Sequence, residues 1–176
     1  MVSLANQLTE AMLLSGQWEA AARLNRGALR GAEALVAKDP TVTSWRTRRL
    51  MSARWMQIAI TFGQLERAAA RGHIERFHAD FASDRDDSES ATRTPWVMVL
   101  AMDALDRKAA GDPGQATTQA AAARALAAGP PQPREQAVLR FLETEIGSTL
   151  PPNDTPATAP GSGYTPGVFL QAAKGT

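Results

Sequence analysis

Apolar residues recur along this chain with the period of a helix. Met51, Trp55, Ile58, Ala59 and Phe62 follow an i, i+4, i+7, i+8, i+11 spacing and fall on one face at about 100° per residue. Arg46, Arg49 and Arg54 lie off that stripe, which directs them to solvent. The same pattern predicts helices over residues 3–15, 17–38, 43–62, 64–81, 95–110, 113–128 and 133–146. Lys38-Asp39-Pro40 stops the second, because proline disfavours helix in the residue before it. Thr94 is placed to cap the fifth, and Gln132 precedes the seventh. The longest apolar run, residues 96–102, falls far short of the roughly 20 residues a membrane span needs, so no membrane partner is expected.

A repeat underlies these helices. Gly16-Gln17-Trp18-Glu19-Ala20-Ala21 is matched 47 residues later by Gly63-Gln64-Leu65-Glu66-Arg67-Ala68. Gly111-Asp112-Pro113-Gly114-Gln115-Ala116 follows 48 residues after that. Self-similarity on this scale marks stacked hairpins. Glycine at the head of each copy permits the positive φ that ends a helix. Alanine five positions on lets the second helix lie close to the first. In the third copy Asp112 suits the cap, Pro113 the first helical position and Gln115 the capping box. The fold class expected is therefore all-α: an α-solenoid of three tandem helical hairpins (about 3–38, 43–81 and 95–128) with a C-terminal capping helix at about 133–146. Residues 1–147 form one helical repeat domain in this reading. Residues 148–176 are a Pro/Gly/Ala/Thr-rich tail whose composition buries no core, and disorder is expected there.

The turn Gly16-Gln17-Trp18-Glu19-Ala20-Ala21 resembles the inter-helix turn of a tetratricopeptide repeat. Ala28-Leu29-Arg30 with Asp39-Pro40 is similar to the closing segment of that family's repeat, and Trp45 follows Pro40 by five residues, as in the long-period variant of large bacterial signalling proteins. The likeness covers roughly residues 4–130; at the second junction, residues 84–94 stand in place of the Asp-Pro. It implies a superhelix whose concave face grips peptides or partner helices. It further implies a regulatory or partner-binding segment of a larger bacterial signalling protein. The N-terminus shows no signal-peptide pattern, so a cytoplasmic location is expected, with a periplasmic one open for a segment of a longer chain.

Composition narrows the chemistry. The 176 residues carry a net charge of +1, so no global field favours nucleic acid or an anionic surface. The first 81 residues hold 11 Lys or Arg against 7 Asp or Glu, whereas residues 84–89 sum to −3 and read as a solvated acidic loop. With no cysteine, disulfides, thiolate ligands and a Cys nucleophile are excluded. His73 and His78, five apart, sit about 140° from each other around a helix and do not stack as metal ligands would, even with Glu75 and Asp80 nearby. Asp103 with Asp106, and Glu143 with Glu145, read as solvated carboxylates. No nucleophile elbow, phosphate-binding loop or dinucleotide fingerprint occurs. Gly161-Ser162-Gly163 reads as linker, and Asn153-Asp154-Thr155 is a glycosylation match without a secretory signal. Neither catalysis, cofactor nor metal is expected.

What stands out is the basic start of the third helix. Arg46, Arg48, Arg49 and Arg54, with Trp45 among them, are the candidate partner-binding residues. They suit bidentate contacts to an acidic peptide. A nucleic-acid reading of the same arginines is the weaker alternative, and a small-ligand sensor or small all-α enzyme is another. The four tryptophans read as core.

Overall fold

The computed structural model describes residues 2–85, 89–127 and 132–146, and every regular element among them is helical. Helices α1 (Val2–Leu14) and α2 (Trp18–Lys38) form the first hairpin. Helix α3 runs continuously through Thr43–Trp45, a π-helical stretch Arg46–Met51, and Ser52–Gly63. It pairs with α4 (Arg67–Phe81), which ends in a short 3-10 turn, Ala82–Asp84. Helices α5 (Ser90–Ala109) and α6 (Pro113–Leu126) form the third hairpin, and α7 (Pro133–Ile146) follows. Each unit rests on the one before it: α3 on α1 and α2, α5 on α3 and α4, α7 on α5 and α6. No helix among the described residues is long and apolar enough to cross a membrane. The tail predicted at 148–176 lies outside the described residues.

The three hairpin turns close identically. The N–H of Gln17 reaches the carbonyl of Met12 at 2.9 Å, that of Glu66 reaches Thr61 at 2.9 Å, and that of Asp112 reaches Arg107 at 3.0 Å. This is the long bond of a Schellman motif, and it needs a left-handed residue just before the donor. Gly16 (φ 72°) and Gly111 (φ 80°) supply it, but in the middle copy the residue is Leu65 (φ 61°). The sequence match that set Gly63 in this role is therefore two residues out of register. Gly63 is the last residue of α3, and a Cβ there would lie 2.4 Å from Cε3 of Trp18. It is glycine because the Trp18 ring occupies that space. The register shift also moves the small residue: Ala21, Ala70 and Ala116 are equivalent, exposed by 0%, 0% and 1%. Ala68, the partner suggested by sequence, is exposed. Helix α4 consequently starts at Arg67, three residues later than predicted.

The fifth helix departs in the other direction, starting at Ser90 where the pattern set its beginning at residue 95. The carbonyl of Glu89 accepts the N–H groups of Thr92 and Arg93 at 2.9 and 2.8 Å, so the first turn closes ahead of Pro95. Proline this early withholds a donor only from Ala91, a modest loss. Thr94 is thus not a cap; it is a buried residue whose hydroxyl donates to Glu135 at 2.6 Å. Glu135 is fully enclosed. It accepts from Thr94, from Arg93 and from the N–H of Gln132, which ties α7 to the start of α5. A buried carboxylate is tolerated when its oxygens are met in this way.

Two helices carry the core. In α3 the predicted face is buried, since Met51, Trp55, Ile58, Ala59 and Phe62 are at most 5% exposed. Met56 and Ile60, on other faces, are buried as well, because α3 is sandwiched between the first and third hairpins. The apolar run 96–102 is buried all round in α5 for the same reason. Helices α2 and α6 dock through small residues, notably Ala21, Ala28 and Ala32, and Ala116, Ala120 and Ala123.

Candidate partner-binding cleft

Helix α1 carries its polarity inward. Leu4 and Leu8 are exposed, whereas Asn6 and Thr9 are buried. Asn6 lines a cleft of about 250 Å³ where α1, α3, α5 and α7 meet. Ser3, Asn6, Gln7 and Glu10 line it from α1 at helical spacing. Arg48, Ser52, Trp55 and Met56 face them from α3. Ala91, Thr94 and Pro95 come from α5, and Arg134 closes the cleft from α7. The amide of Asn6 donates to the carbonyl of Arg49, inside the π-helical stretch, at 3.2 Å. Its own oxygen is buried and meets no donor. Glu10 and Arg134 join across the cleft at 2.8 Å.

The four arginines singled out from the sequence do not converge. Arg46 pairs with Asp84 at 2.7 Å, donates to the carbonyl of Asp80 at 2.6 Å, and lies 5.6 Å from the centroid of the Phe81 ring. It fastens the end of α4 to α3. Asp84, expected in a solvated loop, is accordingly held against the protein, while residues 86–88 of that run lie outside the described residues. Arg54 is not directed to solvent: its side chain is 12% exposed and pairs with Glu33 at 2.8 Å and Asp80 at 3.9 Å. The α3 helix has acidic neighbours on both flanks, so a position off the apolar stripe is still enclosed. Arg49 is half-buried. Arg48 alone of the four lines the cleft; it is 63% exposed, with Glu89 at 3.6 Å.

A second polar cluster lies in the α4–α5 seam. Asp103 and Asp106 are each 4% exposed, which corrects their reading as solvated carboxylates. Asp106 accepts two bonds from Arg71, at 2.8 and 2.6 Å, and Asp103 pairs with Arg107 at 3.2 Å. His78 Nε2 lies 3.8 Å from Asp103, and the imidazole stands edge-on to Trp96 at 5.1 Å. Burial pushes the His78 imidazole below its usual range against the attraction of Asp103, and burial does the same to His73. These charges are matched within the protein, so the seam is a structural joint. Among the described residues no group of three or more His, Cys, Asp or Glu side chains is placed to hold a metal ion.

Sequence reasoning missed Asn6, Glu10 and Arg134. The inverted polarity of α1 was a signal for the first two, but nothing local connects residue 10 to residue 134. In comparison with known proteins, no family model, no curated protein and no solved structure matches this chain.

Proposed function

We propose that the chain is a tetratricopeptide-like α-solenoid that holds a protein partner and performs no catalysis. One observation carries this reading: the first helices of all three hairpins, α1, α3 and α5, line a single cleft at helical spacing. A stack of hairpins offers its partner that kind of surface. The three identical turn closures, and the regular packing of each unit on the last, support a repeat architecture. The wider context, a partner-binding segment of a bacterial signalling protein, rests on the sequence resemblance alone. The cleft is smaller than the roughly 300–1,000 Å³ of pockets that enclose drug-sized ligands, which favours one or two side chains of a peptide over a cofactor. The nucleic-acid reading loses support, since Arg46 and Arg54 already serve internal carboxylates.

Of the candidate arginines, Arg48 is the one placed to meet a partner. The deciding experiment compares proteins captured from lysate by the wild-type chain and by Gln7→Trp, which fills the cleft from an exposed position on α1. A partner captured by the first and lost by the second supports the reading. Identical captures, or no specific capture by either, reject it.

A further inference from the structure

The outer face of the first hairpin carries a pattern that the fold does not use. Asn6 of α1 donates to the carbonyl of Arg49, and Asn25 of α2 donates to that of Ala53, so both helices turn their buried sides to α3. On α1 those buried residues are Asn6, Thr9 and Leu13. At about 100° per residue Leu4, Leu8 and Ala11 lie opposite them, and all three are exposed. On α2 Ala21, Asn25, Ala28 and Ala32 are buried, while Arg23, Arg26 and Arg30 lie opposite and are exposed. The leucines of α1 and the arginines of α2 therefore look the same way, away from α3.

Three observations define what this face fits. Of the exposed large apolar side chains among the described residues, Leu4, Leu8 and Leu14 stand on α1 and only Leu65 stands elsewhere. The arginine row is not neutralised. Arg26 and Arg30 have no hydrogen bond or ion pair among the described residues, and Arg23 has only Glu19, 3.9 Å away with both side chains largely exposed. Glu33, further along α2, is engaged by Arg54. The third observation is the packing of the stack: α3 lies on α1 and α2, α5 on α3 and α4, and α7 on α5 and α6. The outer face of the first pair offers the same two-helix seat, and no helix among the described residues lies on it.

A helix with an apolar stripe and an acidic edge matches all three. A lipid surface matches less well, because the exposed anchors are leucines, with no Trp, Tyr or Phe among them, and they stand only 40–60% exposed. A second copy of the same face brings arginines where acids are wanted.

We propose that the outer face of the first hairpin docks an amphipathic helix of a partner protein, with Leu4 and Leu8 against its apolar stripe and Arg26 and Arg30 against Asp or Glu along its edge. Leu4 and Leu8 lie on the side of α1 away from the cleft-lining Asn6 and Glu10, so the surface stands whether or not the cleft holds a peptide.

The test uses the full chain and a fluorescent synthetic helix of about 18 residues, with leucines at i, i+4, i+7 and i+11 and glutamates beside them. A counterpart carries lysine in place of each glutamate. Binding is read by anisotropy at low and high salt, and thermal melts establish that each variant is folded. The parent should bind the glutamate helix, less tightly as salt rises, and should bind the lysine helix at least about tenfold more weakly. Arg26→Glu with Arg30→Glu should lose at least about tenfold for the glutamate helix and gain for the lysine helix. Leu4→Ser with Leu8→Ser should lose affinity for both. Gln7→Trp, which fills the cleft, should bind the glutamate helix as the parent does. No binding of that helix by the parent, or parent-like binding by the arginine or leucine variant, overturns the proposal. Loss of binding in Gln7→Trp assigns the helix to the cleft and overturns it as well. Sedimentation of the parent with vesicles containing phosphatidylglycerol, lost in the leucine variant, assigns the face to lipid and equally overturns it.

Discussion

Gly63 and Leu65 show how a single side chain can hide a repeat. The chemistry of a left-handed turn asks for glycine, and two of the three turns comply. In the middle turn the Trp18 ring claims a glycine two residues earlier, and a leucine takes the left-handed conformation. A sequence match keyed on glycine aligns the wrong position, since a ring from the preceding hairpin leaves no mark on the local pattern. Two opposite outcomes follow. Gly63→Ala, which would gain about 1 kcal/mol in an open helix, should instead lose about 1–3 kcal/mol to the clash with Trp18. Leu65→Gly should gain roughly 1 kcal/mol, because a left-handed non-glycine costs about 1–2 kcal/mol and this side chain is mostly exposed. Urea unfolding of the two variants checks both signs, and a stabilised Gly63→Ala would refute the role given to Trp18. The apolar stripe of α3 was legible, and Trp55→Ala should cost about 3–5 kcal/mol. Arg54 was not, because its acidic partners are Glu33 and Asp80, 21 and 26 positions away. Arg54→Ala should cost about 1 kcal/mol by removing a mostly buried side chain and its ion pair to Glu33, where an arginine facing solvent would cost almost nothing. A parent-like melt for that variant would return Arg54 to the surface.

At the scale of elements, the existence of all seven helices was readable from periodicity, while two starts and the π-helical stretch of α3 were not. The start of α4 was hidden by the leucine turn, and that of α5 by a proline that marks a helix interior here. The α4–α5 seam was misread for a related reason: Asp106 looks like a surface residue until Arg71 of the neighbouring helix is brought to it, and Asp103 until His78 is. Two histidines of α4, His78 in that seam and His73 nearer Arg54, make stability depend on pH. Burial holds His78 and His73 below the ordinary value of 6.5, so the unfolded chain takes up those protons more readily than the folded one. Stability is full above that value, falls as pH drops through it, and levels off only below the folded-state values. Asp103 tempers the effect at His78, whereas Arg85 and Arg107 reinforce it. The urea midpoint should therefore decrease between about pH 7.5 and about pH 5.5, a window in which ordinary carboxylates stay ionised. Replacing both histidines with glutamine should flatten that slope. A midpoint that rises on acidification would contradict the burial assigned to both rings.

Across the whole molecule, the packing order sets where the fold is strong. Helices α3 and α5 are enclosed by neighbours on almost every side, while α1 has a single following hairpin to lean on and shows Leu4, Leu8 and Leu14 to solvent. Helix α6 docks largely through alanines, which bury little area each. Helices with few buried neighbours open before those enclosed on most sides. Native-state hydrogen exchange should accordingly rank α3 and α5 as the slowest to exchange and α1 among the fastest of the described helices. The Glu10–Arg134 contact tests this picture from the other side, since it joins the first helix to the last. If that part-buried contact is dispensable to the fold, Glu10→Gln should leave the exchange ranking unchanged. If α1 in the wild type exchanges as slowly as α5, and Glu10→Gln accelerates both ends together, the pair closes the stack into one cooperative body. The cleft would then be a joint of the fold rather than a place for a partner.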